Sequence, residues 1–187
     1  MQQSQTGAGH GGEERQFATF YVGRQLMGVD ILQVQEINRR VQVTPVPQAP
    51  AHVRGVLNLR GDVVTVLDLR TILGLERRAI GVHSRNVVLD LAGDKTALLV
   101  DRIGEVVTTR TSELEPAPAN VQEADGRFFQ AVVKLKGELL AILDVQTVVS
   151  ASVAGASAEA GGGWSAAGVT SETPVAAASE ACRSSGP

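Results

Sequence analysis

Short apolar runs separated by turn signals dominate the middle of the chain. Residues 17–22 lead through a Gly-Arg pair into residues 25–30, and residues 86–91 lead through Ala-Gly-Asp into residues 96–100. Both patterns predict β-hairpins, because β-rich runs joined by glycine-containing turns favour tight antiparallel pairing. The segment 43–50 holds three prolines and predicts an extended connection without regular pairing. The sequence therefore predicts an all-β protein, in a barrel or sandwich.

An internal repeat is the strongest signal in the sequence. Residues 59–73, LRGDVVTVLDLRTIL, align without gaps to residues 135–149, LKGELLAILDVQTVV, at a constant offset of 76 residues. Basic, glycine, acidic and apolar positions coincide, down to a shared Asp and Thr. The repeat predicts two copies of one β unit of about 65 residues. A unit of this size is marginally stable alone, so the copies are expected to pack against each other and leave a groove between them.

The repeat and the composition set the predicted domain boundaries. Residues 16–79 are predicted to form a first β-barrel subdomain and residues 80–150 a second one. The segments 1–15 and 151–187 are predicted to be disordered. In the last segment 24 of 37 residues are Ala, Ser or Gly, and such a composition buries too little apolar surface to offset its ordering entropy. This tail holds the only tryptophan, Trp164, which is either an isolated linker residue or a docking residue for a partner.

Two aspartates at equivalent positions of the repeat, Asp68 and Asp144, suggest either paired catalytic carboxylates or helix caps. Each follows an apolar strand and precedes a short apolar-spaced segment, so N-capping of a helical turn is the favoured interpretation. Gly74 stands where a C′ glycine would end the turn that begins at Asp68. Gly61 and Gly137 are predicted to supply the positive φ of hairpin turns.

Catalytic and metal-binding chemistry is sparse in this sequence. His10, His52 and His83 are not at ligand spacing, and none is paired by sequence with an activated Ser or Cys. The single cysteine, Cys182, can form neither an internal disulfide nor a cysteine-based zinc site. No phosphate-binding glycine motif is present. The sequence therefore predicts a protein that is not an enzyme and has no cofactor or metal.

Charge and hydropathy exclude other classes of partner. Residues 16–150 contain 15 basic and 15 acidic side chains, which argues against nucleic acid because its phosphates favour a basic face. No apolar run approaches the length of about 18 residues that a membrane helix needs. The N-terminus has neither the basic nor the apolar region of a secretory signal, so a cytoplasmic location is expected.

The two repeat copies differ in polar residues that the shared pattern does not require. The first copy contains RGVLNLRG at residues 54–61, whereas the second contains VVKLKG at residues 132–137. Arg60 of the first copy corresponds to Lys136 of the second. Arg60 lies beside a predicted turn and is expected to be exposed. It is either a simple solvated side chain or a planar set of donors for a partner's carboxylates or carbonyls.

The segment 54–70, RGVLNLRGDVVTVLDLR, resembles the CheW family of bacterial chemotaxis coupling proteins. The preceding VQEI at residues 34–37, the proline-rich run at 45–50 and the strand at 17–22 follow in the order typical of that family. The resemblance covers residues 16–150. It implies two SH3-like five-stranded β-barrels packed together, with short helical turns. The same fold occurs as the regulatory domain of the CheA kinase, but this chain has no kinase or phosphotransfer domain.

The resemblance also implies partners and a binding surface. Family proteins are non-enzymatic adaptors that link the CheA histidine kinase to the cytoplasmic tips of methyl-accepting chemotaxis receptors. The residues implied to form or support the receptor-binding surface are Val34, Glu36, Gly55, Asn58, Arg60 and Gly61. Among them the two glycines are expected to set shape, and the kinase contacts stay unassigned. The alternative is a regulatory binding module of another two-component pathway that controls motility, twitching or gene expression.

Overall fold

The computed structural model describes residues 12–39, 42–91, 93–117 and 126–159, with side chains as far as residue 152. Its first five strands are β1 (Glu14–Val22), β2 (Gln25–Asp30), β3 (Val34–Asn38), β4 (Val53–Leu59) and β5 (Asp62–Asp68). The next five are β6 (Arg85–Leu91), β7 (Asp94–Val100), β8 (Arg102–Arg110), β9 (Phe129–Lys134) and β10 (Leu139–Leu143). Helices α1 (Leu69–Ile72) and α2 (Val145–Glu159) follow β5 and β10. Within the described residues, 3₁₀ turns lie at Ile31–Gln33, Thr111–Glu113 and Gly126–Phe128. The all-β class is confirmed.

Both predicted hairpins are present. Strands β1 and β2 pair antiparallel up to Val22 opposite Gln25, and β6 and β7 pair antiparallel up to Leu91 opposite Asp94. Each hairpin is therefore closed by a two-residue loop, which contains a glycine of positive φ: 65° at Gly23 and 100° at Gly93. The local sequence is sufficient here, because a tight turn fixes the register of the strands that it joins.

The strands form two five-stranded sheets, but these sheets do not follow the predicted division into residues 16–79 and 80–150. One sheet has the order β8-β1-β2-β10-β9 and the other has the order β3-β6-β7-β5-β4. The second sheet is thus built from consecutive strands and is inserted between β2 and β8 of the first. We call the first unit barrel A and the inserted unit barrel B. The predicted boundary at residue 79 is wrong, because it separates strands that pair within one sheet.

Both repeat copies contribute to both barrels, because the copies exchange their first hairpins. The hairpin β1–β2 of the first copy belongs to barrel A with β8–β10, and the hairpin β6–β7 of the second copy belongs to barrel B with β3–β5. Within each sheet one strand pair is parallel: β10 with β2 in barrel A, and β5 with β7 in barrel B. These parallel pairs join a strand of one repeat copy to a strand of the other. The segment after β3 pairs with β4 through Thr44 and Val56, and the segment after β8 pairs with β9 through Glu115 and Val132. These bridges link the sheet edges and curl each sheet into a small barrel.

Most of the large buried side chains pack where the two barrels meet. This cluster joins Phe20 and Met27 of barrel A to Leu89 and Leu98 of barrel B, and Val148 of α2 packs into it. Smaller apolar clusters fill the inside of each barrel. The shared cluster confirms that the two repeat copies pack against each other, because neither barrel can bury these side chains alone.

Helix α2 extends the folded part beyond the predicted limit at residue 150. It begins after Asp144 and runs to Glu159, and Ser152 is 7% exposed. The backbone carbonyl of Ser152 lies 2.9 Å from His52 Nε2, which ties the helix to the segment before β4. The predicted disorder of 1–15 is wrong for Glu14 and Arg15, because both belong to β1 and pair with β8. Residues 1–11 and 160–187 of the two predicted disordered segments, with Trp164 and Cys182, lie outside the described residues. Within the described residues no helix has the length and apolar character to cross a membrane.

Candidate functional site

The turn between β4 and β5 is the centre of the candidate site. Leu59 pairs with Asp62, so the loop consists of Arg60 and Gly61 alone. Their φ angles are 55° and 99°, as a type I′ hairpin turn requires at its two central positions. Asn58 stabilises this turn, since its Oδ1 accepts a 2.9 Å hydrogen bond from the Gly61 backbone N–H. Arg60 is therefore held in a backbone conformation that a long side chain rarely adopts.

The side chain of Arg60 projects into solvent and reaches across to the edge strand β3. It is 84% exposed, and its Nη2 lies 2.9 Å from Glu36 Oε2. An exposed pair of this kind contributes about 0–1 kcal/mol to stability, because water solvates both partners almost as well. The guanidinium can therefore exchange Glu36 for a carboxylate or carbonyl of a partner at little cost. Chemically the site is a recognition surface.

Gly55 sets the path of the backbone behind this turn. Its φ is 144°, and a Cβ built on it would lie 2.2 Å from the carbonyl oxygen of Thr44. The absence of a side chain lets the proline-rich connection approach β4 closely enough for Thr44 and Val56 to exchange two backbone hydrogen bonds, of 2.8 and 2.9 Å. Gly55 thus shapes the barrel edge and makes no side-chain contact of its own.

Val34 differs from the other predicted site residues. It is half-buried and packs against the cluster between the barrels. A register shift separates Val34 from Glu36 in the pairing of β3 with β6. The structure therefore brings Glu36, Asn58, Arg60 and Gly61 together at one end of barrel B, with Gly55 supporting them, while Val34 anchors the strand that carries Glu36.

A second turn lies beside this site: the hairpin turn between β6 and β7 was predicted from the sequence, but its position next to the β4–β5 turn was not. Residues 90–94, DLAGD, repeat the pattern of residues 58–62, NLRGD. Asp90 Oδ1 accepts a 2.8 Å hydrogen bond from the Gly93 N–H, as Asn58 does for Gly61. Strands β5 and β7 are parallel neighbours, so both turns lie at the same end of barrel B. The short shared motif is the signal that could have related this turn to the β4–β5 turn.

The two turns are joined by an ion pair between Lys95 Nζ and Asp62 Oδ2, 2.5 Å apart. The hydrogen bond that Lys95 donates to the Asp62 carboxylate raises the pKa of Lys95 above its ordinary value, and the charges of Asp62 and Asp90 act in the same direction. The end of barrel B is thus a charged surface in which Arg60 and Lys95 alternate with carboxylates. Val63, 73% exposed on β5, adds an apolar side chain next to these charges.

Asp68 and Asp144, the aspartates at equivalent positions of the repeat, are helix caps. Asp68 is 2% exposed, and its Oδ1 accepts from the Arg70 backbone N–H at 3.1 Å. Asp144 Oδ1 accepts from the Thr147 N–H at 3.0 Å. Helix α1 ends as predicted, with Gly74 at a φ of 67° and a 2.8 Å bond from the Leu75 N–H to the Arg70 carbonyl. The capping interpretation is confirmed.

Within the described ranges no three His, Cys, Asp or Glu side chains lie together as metal ligands. The candidate site is an exposed, rigid and charged surface on paired turns. Such a surface can select a protein partner by charge and shape.

Comparison with known proteins identifies the family. The family model described as the CheW-like domain matches residues 16–153. The chemotaxis protein CheW of Rhizobium meliloti is 30% identical over 134 residues, which cover 72% of this chain and 86% of that protein. The chemotaxis protein CheW of Bacillus subtilis is 32% identical over 130 residues, covering 70% and 83%. Among solved structures, the scaffolding protein TtCheW from Thermoanaerobacter tengcongensis matches with a TM-score of 0.66 and 29% identity, over 71% of this chain and 90% of that one.

Proposed function

This chain belongs to the CheW-like domain family, and we propose that it couples a CheA-type histidine kinase to the cytoplasmic tips of methyl-accepting chemotaxis receptors. In general terms it is a chemotaxis coupling adaptor and not an enzyme. We further propose that it acts in the cytoplasm and is recruited to receptor arrays at the membrane. The chemotaxis proteins among its relatives favour this function over a regulatory module of another two-component pathway.

The observation that carries the receptor proposal is the geometry of Arg60. Its backbone is held by a two-residue turn, and its side chain is 84% exposed and forms an ion pair with Glu36. A fixed backbone reduces the entropy that a binding residue loses when it docks. We assign the receptor-binding surface to Glu36, Asn58, Arg60 and Gly61, with Val34 and Gly55 as supporting residues.

The two-barrel architecture supports the coupling part of the proposal. The shared apolar cluster holds the barrels in one arrangement, so partners bound to different faces would be kept at a fixed distance and orientation. This raises their effective concentration toward each other. Control of the kinase additionally requires that the assembly contact its active and inactive states differently.

Reconstitution with purified partners tests the proposal. The chain, a CheA-type kinase and a receptor hairpin fragment from the same cell should sediment as a ternary complex. If the folded chain binds no kinase from that cell, the proposal is wrong.

The receptor surface is tested by Arg60→Ala. We expect receptor affinity to fall by about 1–3 kcal/mol, the range for a lost charge-assisted contact, with kinase affinity little changed. Stability should change by no more than about 0.5 kcal/mol, as for other exposed side chains. Lys136→Ala is the matched control, because Lys136 occupies the equivalent position of the second repeat copy and is exposed. If the two substitutions had equal effects on receptor binding, or if the Arg60→Ala protein were unfolded, the assignment of Arg60 to the receptor-binding surface would be wrong.

A further inference from the structure

A basic cleft lies outside the turn site described above. It has a volume of about 410 Å³ and is formed by the end of β3, the segment before β6 and the start of β8. The residues that line it are Ile37, Arg39, His83, Arg85, Arg102 and Ile103. Four of the six are arginine or histidine, and no acidic residue is among them. This concentration of basic groups contrasts with the net charge of −3 of the whole chain.

The arginines of the cleft lack carboxylate partners within the described residues. The ion pairs found among the described residues are all formed by other arginine and lysine side chains. Two of the three arginines are nevertheless held in place. Arg85 Nη1 donates to the backbone carbonyls of Val82 and Ser84, at 2.9 and 2.7 Å. The guanidinium of Arg102 stacks 3.3 Å from the centroid of the Tyr21 ring.

Guanidinium groups that are fixed in position and lack an anion favour a ligand that supplies one. The planar fork of arginine matches a carboxylate, which can accept two parallel hydrogen bonds. Fixing the donors in advance reduces the entropy lost when the ligand binds. The cleft therefore has the electrostatic character of an acceptor site for carboxylates.

The apolar side chains of the cleft indicate that the ligand is more than an anion. Ile37 is 40% exposed and Ile103 is half-buried, and both lie among the basic groups. An apolar centre with a polar rim is typical of a surface that binds another protein. We propose that this cleft docks an acidic segment of a protein partner, in which carboxylates flank an apolar side chain. The proposal concerns residues separate from the Glu36–Arg60 site and does not depend on the identity of the partner.

A peptide titration tests the proposal without kinase or receptor. The probe is a labelled peptide of Glu-Glu-Leu repeats, and its reference is a peptide of Gln-Gln-Leu repeats with the same length. Fluorescence anisotropy of the full chain should show binding of the acidic peptide and at least tenfold weaker binding of the neutral one. The affinity should fall as salt is raised, because screening weakens exposed charge pairs.

Variants locate the binding in the cleft. Arg39→Gln and Arg102→Gln should each weaken binding of the acidic peptide several-fold, and Ile37→Ser should weaken it as well. Arg110→Gln is the matched control: it makes the same change at an exposed position eight residues further along β8, about 26 Å away at the usual rise of a strand. Thermal unfolding of each variant verifies its fold. Arg39 is exposed, so Arg39→Gln remains informative if loss of the stacking on Tyr21 destabilises Arg102→Gln.

Four outcomes would overturn the proposal. The acidic peptide could fail to bind, or it could bind the Arg39→Gln and Arg102→Gln proteins as well as it binds the unsubstituted chain. Inorganic phosphate or vesicles of anionic lipid could occupy the cleft, with loss on Arg39→Gln, while the acidic peptide binds no better than the neutral one. Equal losses in Arg110→Gln and in the cleft variants would show attraction by overall charge alone.

Discussion

At the scale of single residues, the candidate site has an arginine where hairpin geometry favours asparagine or glycine. Arg60 has a φ of 55°, whereas the φ of Lys136, its counterpart in the repeat, is not positive. An arginine in the left-handed region costs about 1 kcal/mol or more. A residue kept at such a cost is a candidate for a functional role, because the turn would be more stable with another side chain.

Arg60→Asn separates the fold from the function of this turn. Asparagine adopts the left-handed conformation more readily, so the free energy of unfolding should rise by about 0.5–1 kcal/mol. Receptor affinity should nevertheless fall, because the guanidinium is lost. Lys136→Asn should bring no comparable gain. Urea unfolding and receptor titration measure the two effects, and a destabilised Arg60→Asn protein would contradict this account of the turn.

Gly55→Ala should be among the most damaging single substitutions in the chain. The added methyl group would lie 2.2 Å from the Thr44 carbonyl oxygen at a φ of 144°. We expect a loss of about 2–4 kcal/mol from strain and overpacking together. Gly137→Ala is the control, since a Cβ there meets nothing within 4 Å although its φ is 97°, so its cost should be smaller. Thermal unfolding distinguishes the two; a milder effect at Gly55 would show that the connection can move away.

The sequence predicted these residues unevenly. Gly61 and Gly137 were identified as turn residues because only glycine tolerates their φ easily. The positive φ of Arg60 could not be predicted, because arginine carries no preference for that region. The role of Gly55 was implied only by family resemblance, since the clash that forbids a side chain involves Thr44, which is distant in sequence.

At the scale of elements, local signals predicted hairpins and caps but not the length of α2. Turn chemistry and the capping by Asp144 act over a few residues, and both can be read from the sequence. The end of α2 depends instead on tertiary contacts, because Val145 and Val148 pack into the cluster between the barrels and His52 contacts the Ser152 carbonyl. A segment rich in Ala, Ser and Gly gives no local indication of such packing.

Truncations within and after α2 test this assignment. Removal of residues 160–187 should leave the melting temperature unchanged, because this segment is rich in Ala, Ser and Gly and has little apolar surface to bury. Removal of residues 151–187 should lower it by several degrees, since it deletes the His52 contact and more than half of the helix. Differential scanning calorimetry compares the two chains. Equal melting temperatures would mean that residues 151–159 contribute nothing to stability.

At the scale of the whole molecule, the repeat was visible in the sequence while the exchange of hairpins was not. A repeat identifies equivalent segments, but it does not say which copy each segment pairs with. The exchange depends on the parallel pairs β10 with β2 and β5 with β7, which join residues more than 25 positions apart. The surface at the end of barrel B was missed in part for the same reason, because its two turns become neighbours only through the pairing of β5 with β7.

The exchange of hairpins predicts how fragments of the chain should behave. Two barrels that followed each other along the chain would predict a different result. A cut at residue 79 leaves β1–β5 on one fragment and β6–β10 on the other, so each fragment holds an incomplete set of strands from both barrels. Neither fragment can then form a closed sheet or bury the cluster that joins Phe20 and Met27 to Leu89 and Leu98. We expect residues 1–79 and 80–187 to lack cooperative thermal transitions separately and to recover one when mixed in equal amounts.

Circular dichroism and size-exclusion chromatography of the separate and mixed fragments measure this recovery. The control is a fragment 31–79 without the β1–β2 hairpin, which cannot complete barrel A when it is mixed with 80–187. Its mixture should show a weaker transition, because the sheet β8-β1-β2-β10-β9 loses two of its three inner strands. Independent folding of 1–79 and 80–187 would show that the sheets can form within each repeat copy. The exchange of hairpins would then be favoured in the intact chain but not required for a barrel to form.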